Sequence, residues 1–480
     1  MNEGKRLTFL LDGKKSEVIA RENETVLQLL QRLGLKAPES PCGGRGLCKK
    51  CIVNVDGKSA LACRTLCKDA ETVTFSSEGA MKIAMDRGEI PYPADGGEGF
   101  LLACDIGTTT LALSLVSAAD GQILTQRGME NPQRAWGADI ISRIKACTDG
   151  ELEALRSSVA DCVKESCAAM LEECGAPGTV RVFVAGNTVM EHIFAGINPE
   201  SIGVSPFTPA SLFGGEESIN GFTCPVYFAP AVAGYVGGDV IAGMVACGLC
   251  GDDRNVLYID VGTNGEMALG RNGAFTCCAA AAGPAFEGAE IECGMTAVPG
   301  AVNRVWLEEG KVRFSTIGDK KAAGICGSGL IDAVAVMLRL EVIDETGYME
   351  AGRFYLTDEV WVSQADVRQV QLAKAAIAAG IEVLMAEKGV SAGDVDVLML
   401  AGGFGSYIDA KNAAAIGLIP KKLVGVTRAV GNAALRGAVC AAVSAKARAD
   451  MLRLRDNCEY TELSVSALFS DKYVENMMFE

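Results

Sequence analysis

Four cysteines near the N-terminus lie close enough in sequence to bind one metal group. They are Cys42, Cys48, Cys51 and Cys63, spaced C-x5-C-x2-C-x11-C in the run PCGGRGLCKKCIVNVDGKSALACRT. This spacing suits a [2Fe–2S] cluster, whose two irons need four sulfur ligands at fixed distances. The glycines between the first two cysteines allow the backbone to wrap closely around such a group, because glycine accepts positive φ. The cysteine run therefore predicts a carrier of single electrons.

Two other uses of the four cysteines remain open. A structural zinc site usually combines two separate C-x2-C pairs, and this run contains one such pair. Disulfides suit secreted proteins, whereas the polar N-terminal segment MNEGKRLTFLLDGKKSEV does not resemble a secretory signal. The glycine-rich stretch before the C-x2-C pair is a ferredoxin trait and favours the iron–sulfur interpretation.

Two Asp-x-Gly-Thr turns form a second group of residues with chemical potential. They lie in LLACDIGTTTLALSLV (101–116) and VLYIDVGTNGEMAL (256–269), and each is predicted to join two buried strands. Backbone N–H groups at such a glycine can approach phosphate oxygens. Asp105 and Asp260 end their strands, where a carboxylate can hold Mg²⁺ directly or through water. Facing one another, the turns would clamp a triphosphate with Gly107, Thr108, Thr109, Thr110, Gly262, Thr263 and Asn264.

A third glycine motif follows an apolar strand in VLMLAGGFGSYID (397–409). A glycine pair lets a flat base or ribose lie on the backbone, as Gly402 and Gly403 would here beside Phe404. Further glycine turns occur in AGNT (185–188) and GYVGGD (234–239). One glycine turn alone is more often a tight turn than a ligand site, but the ordered series favours a nucleotide cleft. No Walker A sequence is present.

The elements that position these residues fall into an α/β chain of several domains. The N-terminal residues predict strands at 6–11, 16–20, 51–55 and 71–75 and a helix at 25–33. A Pro/Gly/Asp-rich linker follows, and the remainder alternates apolar strands with Ala-rich helices. The predicted domains are a ferredoxin-like domain at 1–79, a linker at 80–99, a first ATPase lobe at 100–250 and a second lobe with a C-terminal tail at 251–480.

Composition excludes several classes of protein. The chain has 480 residues, a net charge of −16 and 49% hydrophobic residues. Nucleic acid is not an expected partner, because phosphate backbones need basic surface. The sequence contains no uninterrupted run of eighteen apolar residues, so it predicts no membrane span. Nineteen cysteines in a chain expected to be cytoplasmic favour an anaerobic host.

The ordered motifs resemble those of known families. DIGTTT, DVGTNGE and AGGFG are similar to the first phosphate, second phosphate and adenosine motifs of the sugar kinase/heat-shock/actin superfamily. The whole chain, including ENPQRAWGADIISRI (130–144), GICGSGLIDAVA (324–335) and the tail YTELSVSALFSDKYVENMMF, resembles the reductive activators of corrinoid-dependent enzymes. Here the ATPase motifs start almost directly after the linker, whereas some members carry a further domain between them. This departure leaves the mode of partner docking open.

The resemblance implies a β-grasp ferredoxin-like domain followed by a two-lobed actin-like ATPase domain of duplicated ribonuclease-H-like sub-domains. It also implies ATP and Mg²⁺ as cofactors besides the cluster. Such activators pass one electron to the Co(II) corrinoid of a methyl-carrier protein and so restore Co(I). Plant-type [2Fe–2S] centres have reduction potentials of about −400 mV, which is not low enough to make Co(I) favourable in a resting corrinoid protein. ATP must therefore favour a state in which cobalt is easier to reduce.

The implied partners are the corrinoid protein, an upstream donor of ferredoxin or flavodoxin type, and a second copy of the chain in a homodimer. Two other functions remain open. The electron acceptor could be another iron–sulfur enzyme, such as a 2-hydroxyacyl-CoA dehydratase or a reductase. Alternatively, the chain could be a redox sensor that binds nucleotide without turnover.

Several reactive residues have more ordinary interpretations. His192, the one histidine in the sequence, is expected to pack or cap a helix, and cobalt ligation is the alternative. The pairs Cys247/Cys250 and Cys277/Cys278, and Cys326, lie in apolar stretches where cysteine acts as a small hydrophobe. Glu266 could orient water or be structural. Cys63 fits the fourth cluster position better than Cys67.

Overall fold

The computed structural model describes residues 5–11, 14–33, 38, 44, 46, 51–56, 58–75, 89–176, 178–405 and 407–479. The predicted ligands Cys42 and Cys48 lie outside this part of the chain. Gly403 and Phe404 are described by their backbone alone.

The N-terminal module is one mixed sheet with a helix packed on it. Its elements are β1 (Arg6–Leu11), β2 (Lys14–Ile19), α1 (Val26–Arg32), β3 (Ile52–Val55), β4 (Lys58–Leu61) and β5 (Thr72–Phe75). The sheet order is β2-β1-β5-β3-β4, and β1 and β5 pair in parallel at its centre. Thr25 and Gln28 form a reciprocal cap at the start of α1, which fixes the predicted helix start. Strand β4, the second half of a hairpin with β3, was not predicted.

The first large sheet carries the first Asp-x-Gly-Thr turn. Its elements are β6 (Phe100–Ile106), β7 (Thr110–Ser117), β8 (Ile123–Glu130), α2 (Ile140–Ala146), α3 (Leu152–Glu173), β9 (Val180–Gly186), α4 (Thr188–Ala195), β10 (Glu216–Glu217), β11 (Val226–Phe228) and α5 (Gly238–Ala246). The order is β10-β11-β9-β6-β7-β8. Strand β6 is almost wholly buried, so its carboxyl end can hold a charged side chain in a rigid, dry place.

The second large sheet repeats this plan around the second turn. Its lobe contains β12 (Val256–Val261), β13 (Gly265–Arg271), β14 (Ala274–Ala280), β15 (Ala301–Glu308), β16 (Lys311–Thr316), β17 (Gly324–Ile325), α6 (Gly327–Arg339), β18 (Arg353–Tyr355), β19 (Trp361–Ser363), α7 (Gln364–Lys388), β20 (Val397–Ala401), α8 (Gly402–Gly405), α9 (Ala410–Ala415), β21 (Thr427–Gly431), α10 (Ala433–Val443), α11 (Ala445–Asp456), β22 (Cys458–Tyr460) and α12 (Ala467–Glu475). The sheet order is β21-β20-β12-β13-β14-β22.

Both large sheets share one connection pattern, as the repeated turns predicted. In each, three antiparallel strands (β6-β7-β8 and β12-β13-β14) are extended by parallel strands beside the first one. The turns between the first two strands therefore occupy the same place in both lobes. The expected fold class, a β-grasp module followed by two related lobes, is confirmed.

Helices α5 and α10 cross between the two lobes with almost no side chain between them. A Cβ added to Gly437 of α10 would lie 2.1 Å from the carbonyl oxygen of Ala242 in α5. A Cβ on Gly243 of α5 would lie 2.1 Å from the hydroxyl of Tyr258 in β12. Only glycine fits at these two positions, so the backbones themselves form the contact between the lobes.

Residues 89–99 pack against the two large lobes. The Tyr92 hydroxyl donates to Asp450 at 2.9 Å, and Ile90 and Tyr92 pack against the core. The Asp95 N–H donates to the Val443 carbonyl at 2.9 Å, and the Asp95 carboxylate accepts from the Ala445 N–H at 2.6 Å. The connector is thus fixed where α10 ends and α11 begins.

The C-terminal tail packs on the second lobe, as expected from the sequence. Gln371 donates to the Met477 carbonyl at 2.7 Å, and Phe479 is 2% exposed. Among the described residues, α7 is the helix long and apolar enough to cross a membrane, but 78% of its apolar window is buried inside the protein. Such burial is the property of a core helix.

Candidate functional site

The first predicted phosphate turn lies at the edge of the cleft between the lobes. It is closed by a hydrogen bond from the Gly107 N–H to the Thr110 carbonyl at 3.0 Å. Asn131, just after β8, donates from its side chain to the Gly107 carbonyl at 2.8 Å and from its backbone to Thr109 at 2.9 Å. These bonds occupy carbonyl groups of the turn, so its shape is held from the side of β8.

A fully buried arginine supports the same turn from below. Arg143 in α2 donates to the Thr108 carbonyl, to the Gln133 side chain at 3.3 Å and to the Gly137 carbonyl at 3.2 Å. No carboxylate in the described ranges accepts a hydrogen bond from it. Burial, with a smaller effect of the neighbouring Arg134, lowers the pKa of Arg143 to about 9. A buried cation beneath a phosphate turn favours anionic ligands in front of it.

The second predicted phosphate turn has the matching geometry. The Gly262 N–H donates to the Asn264 carbonyl at 2.9 Å, and the Asn264 side chain donates to Glu266 at 3.3 Å. The hydroxyl of Thr263 is buried and has no partner within the described chain. Buried polar groups normally have partners, so this hydroxyl is available to a ligand.

The adenosine motif meets the second turn directly. Gly402 begins α8 with a φ of +88°, and a Cβ there would lie 2.6 Å from an oxygen of Asp260. A side chain at this position would collide with that carboxylate, which explains why the sequence has glycine. The backbone of Gly402, Gly403 and Phe404 is thereby held beside the second turn.

Five carboxylates, each buried or half-buried, surround the point where the two turns meet: Asp105, Glu191, Asp239, Asp260 and Glu266. Burial raises the pKa of Asp105 to about 7, against a hydrogen bond from Asn432 that lowers it. Burial, then Asp239 and Asp105, raise the pKa of Asp260 to about 8. Like charges collected in a dry place raise one another's pKa.

Asp239 is the member of the group that raises the pKa of each of the other four. It lies in the first turn of α5, and burial raises its own pKa. Glu191 in α4 is fully buried, both of its oxygens lack a partner in the described chain, and burial holds its pKa well above the usual value. Both residues were missed as site residues, although the glycine turn 234–239 pointed to the segment of Asp239.

The carboxylate group suits a cation that keeps its water shell. No three His, Cys, Asp or Glu side chains in the described ranges converge closely enough to hold a metal ion by themselves. Mg²⁺ retains several waters and is usually bound through one or two carboxylates together with phosphate oxygens. The donor set therefore fits Mg²⁺ brought in with a nucleotide.

Two of the four predicted cluster ligands, Cys51 and Cys63, lie in the described part of the N-terminal module. The sulfurs of Cys51 and Cys63 lie 3.2 Å apart and are buried, and the structure joins none of the seventeen described cysteines in a disulfide. Gly44 and Gly46 have φ of +79° and +74°, which glycine adopts without strain. These features fit a loop wrapped around a cluster.

The residues set aside in the sequence have structural roles. His192 has a ring nitrogen 2.7 Å from the Thr188 carbonyl, and its other ring nitrogen accepts from the Ser211 N–H at 3.2 Å. The ring is fully buried, as expected for a packing residue. Cys277, Cys278 and Cys326 are also buried.

Comparison with known proteins gives this arrangement a family. Residues 100–252 match the family model described as the RACo middle region, and residues 254–480 match the one described as the C-terminal domain of RACo, the ASKHA domain. The corrinoid activation enzyme RamQ of Eubacterium limosum is 33% identical over 421 residues, which cover 79% of this chain and 70% of RamQ. The chain belongs to the RACo family.

Two further relatives extend this result. A reductase of Methanosarcina barkeri, named for the Co(II) methylated amine-specific corrinoid protein, is 29% identical over 286 residues, 53% of this chain and 52% of the relative. A solved structure described as a reductive activator for corrinoid,iron-sulfur protein has 29% identity and a TM-score of 0.72 and covers 98% of both chains. This structural match therefore covers the N-terminal module as well as the two lobes.

Proposed function

We propose that this protein is an ATP-dependent reductive activator of a methyl-transferring corrinoid protein. It passes one electron from a [2Fe–2S] cluster to the Co(II) corrinoid, so that the cluster is oxidised and Co(II) becomes Co(I). The names of the RACo relatives support the choice of acceptor. An upstream low-potential donor of ferredoxin or flavodoxin type would reduce the cluster again, in the cytoplasm.

On this proposal each module holds one cofactor. Cys42, Cys48, Cys51 and Cys63 bind the cluster. The two glycine turns bind the phosphates of ATP, and α8 lines the adenosine pocket. Asp105 and Asp260 hold the hydrated Mg²⁺, with Asp239 beside them.

The observation that carries the proposal is the meeting of two phosphate turns from two related lobes. Asp105 raises the pKa of Asp260 across the cleft, so the turns face a common point. Helices α5 and α10 join the lobes by direct backbone contact. A nucleotide bound at that point would favour one arrangement of the lobes, which is how ATP could bias a partner's cobalt toward reduction.

The direct test mixes the reduced protein, MgATP and a Co(II) corrinoid protein of a methyltransferase system and follows the absorbance of Co(I). Formation of Co(I) that requires ATP is the expected result. If no Co(I) forms at any ATP concentration while the protein reduces another iron–sulfur enzyme, the acceptor is wrong. Nucleotide binding without any electron transfer would instead indicate a sensor.

Replacement of Asp105 tests the role of the ATPase lobes independently of the cluster. Asp105→Ala removes the carboxylate that Asn432 orients, and we expect nucleotide dependence to be lost. The electron paramagnetic resonance spectrum of the reduced cluster should stay unchanged, because Asp105 lies in the ATPase lobe. ATP-dependent Co(I) formation that survives in this variant contradicts the assigned role.

A further inference from the structure

Glu287 of the second lobe reaches into the first phosphate turn. It ends a short turn of 3-10 helix, Pro284–Glu287, that follows β14. One of its carboxylate oxygens accepts a hydrogen bond from the Thr109 hydroxyl. The other lies 3.6 Å from the position that a Cβ on Gly262 would take, in the second phosphate turn. The carboxylate of Glu287 therefore lies between the two turns.

The surroundings of this carboxylate are those of an anion site. The buried guanidinium of Arg143 and Glu287 attract each other, and Arg143 is joined to the same turn through the Thr108 carbonyl. The second turn adds the Thr263 hydroxyl, which is buried without a partner in the described chain. Donors and a cation thus converge from both lobes on a point that the protein's own carboxylate occupies.

The segment that carries Glu287 also forms a wall of the large cavity between the lobes. Gly283 and Gly288 flank the short helical turn with φ of +75° and +79°, values that glycine adopts without strain. Gly283, Pro284 and Glu290 line a cavity of about 550 Å³. Asp139, Ile140 and Ile141 of the first lobe line it as well. A shift of residues 283–290 as a segment would consequently change the shape of this cavity.

We propose that Glu287 senses the terminal phosphate of the nucleotide. In the nucleotide-free protein its carboxylate takes the place of that phosphate and links the lobes through Thr109. ATP displaces the carboxylate and moves the wall formed by residues 283–290, whereas ADP, which lacks the third phosphate, leaves it in place. This inference rests on the proposed binding of ATP at the two turns.

The physical argument is competition between two anions for one set of donors. A phosphate oxygen and a carboxylate oxygen cannot both accept the Thr109 hydroxyl proton, and their charges repel each other at short range. Binding of ATP therefore includes the cost of breaking the contact of Glu287, and binding of ADP does not. A ligand shifts a conformational equilibrium only by such a difference in affinity.

The test measures the affinities of a non-hydrolysable ATP analogue and of ADP, both with Mg²⁺, by titration calorimetry. In Glu287→Ala we expect the affinity for the analogue to rise about tenfold, because a hydrogen bond to a charged group no longer has to be broken. The affinity for ADP should stay within about twofold of the wild type. Glu287→Gln should show a smaller rise in the same direction, since it keeps an acceptor but not the charge.

Glu290→Gln is the matched control, because it removes one exposed carboxylate from the same segment, and both affinities should stay at wild-type values. An unchanged or weaker affinity for the analogue in Glu287→Ala overturns the sensor and makes Glu287 inert or a nucleotide ligand. If the wild type binds neither nucleotide, the proposed ATP site fails and the sensor with it. If Glu287→Ala binds both nucleotides with the wild-type ratio of affinities, the sensor role of Glu287 is wrong and the proposed ATP site stands.

Hydrogen exchange supplies a readout that a merely structural role would not change. The N–H groups of Gly288 and Ala289 donate to Ala285 and Pro284 at 3.0 and 3.1 Å. With the ATP analogue these amides should exchange faster than with ADP in the wild type, and Glu287→Ala should abolish the difference. Equal exchange with both nucleotides in the wild type contradicts the proposal.

Discussion

Cys63 and Cys67 lie four positions apart in the sequence, but their thiols have different surroundings. Cys63 lies beside the sulfur of Cys51. Cys63 and Cys67 both belong to the module's apolar core, but for Cys67 burial, with a smaller effect of Glu24, raises the pKa of the thiol to about 12. Metals bind the thiolate, so Cys67 is a poor ligand.

Serine replacements test this difference. Cys63→Ser should remove the cluster, because it deletes one of four ligands, whereas Cys67→Ser should keep it. Iron content and the electron paramagnetic resonance of the reduced protein measure the result. Loss of the cluster in Cys67→Ser, with the module still folded by circular dichroism, contradicts the assignment, as does a [4Fe–4S] signal in the wild type.

At the scale of elements, the crossing of α5 and α10 determines how the lobes meet. The close approach of the two helices requires glycine at Gly437, and the Tyr258 hydroxyl of β12 requires it at Gly243. Asn432, which caps the start of α10, also donates to Asp105 at 2.7 Å. The same helix therefore contributes both to the packing of the lobes and to the nucleotide site.

An added methyl group at this crossing should be costly. Gly437→Ala places a Cβ 2.1 Å from a backbone oxygen, and we expect a loss of about 1–3 kcal/mol in unfolding free energy from overpacking. Gly251→Ala is the control, since a Cβ there meets nothing within 4 Å. The urea midpoints of both variants provide the comparison. Equal midpoints for Gly437→Ala and the wild type would refute the tight crossing.

The sequence predicted the elements with strong local signals. The Asp-x-Gly-Thr turns revealed Asp105 and Asp260, because strand, turn and strand are adjacent in the chain. Glu191 and Glu287 were not recognised, because a lone carboxylate carries no periodic signal and both reach the site only through packing of distant segments. Arg143 lay in a segment that resembled the family, but its burial beneath Thr108 depends on how α2 packs.

At the scale of the whole molecule, the buried carboxylates couple stability to pH. A carboxyl group with a raised pKa in the folded state holds a proton that the unfolded chain releases above about pH 4. Its contribution to stability is present below that pH and is lost as the pH rises through the folded values, about 7 for Asp105 and about 8 for Asp260. At the proposed site Mg²⁺ would bind the ionised groups and so oppose this loss.

The nucleotide-free protein should consequently melt at a lower temperature at about pH 8.5 than at about pH 6. The rise in melting temperature on adding Mg²⁺ and an ATP analogue should be larger at the higher pH. Asp105→Asn should reduce the pH dependence of the nucleotide-free protein, because the amide does not titrate. Differential scanning fluorimetry measures all three, and a pH dependence equal in wild type and variant argues against a shifted Asp105.

The connector between the modules is attached to the far end of α10, where Asp95 bonds to Val443 and Ala445. The near end of that helix touches Asp105, and its eleven residues span about 16 Å. A helix of this length is stiff, and its glycine crossing with α5 leaves no compressible side chain to absorb a displacement. We therefore expect a displacement of Asp105 to be carried along the helix to Asp95, where the connector contacts the lobes.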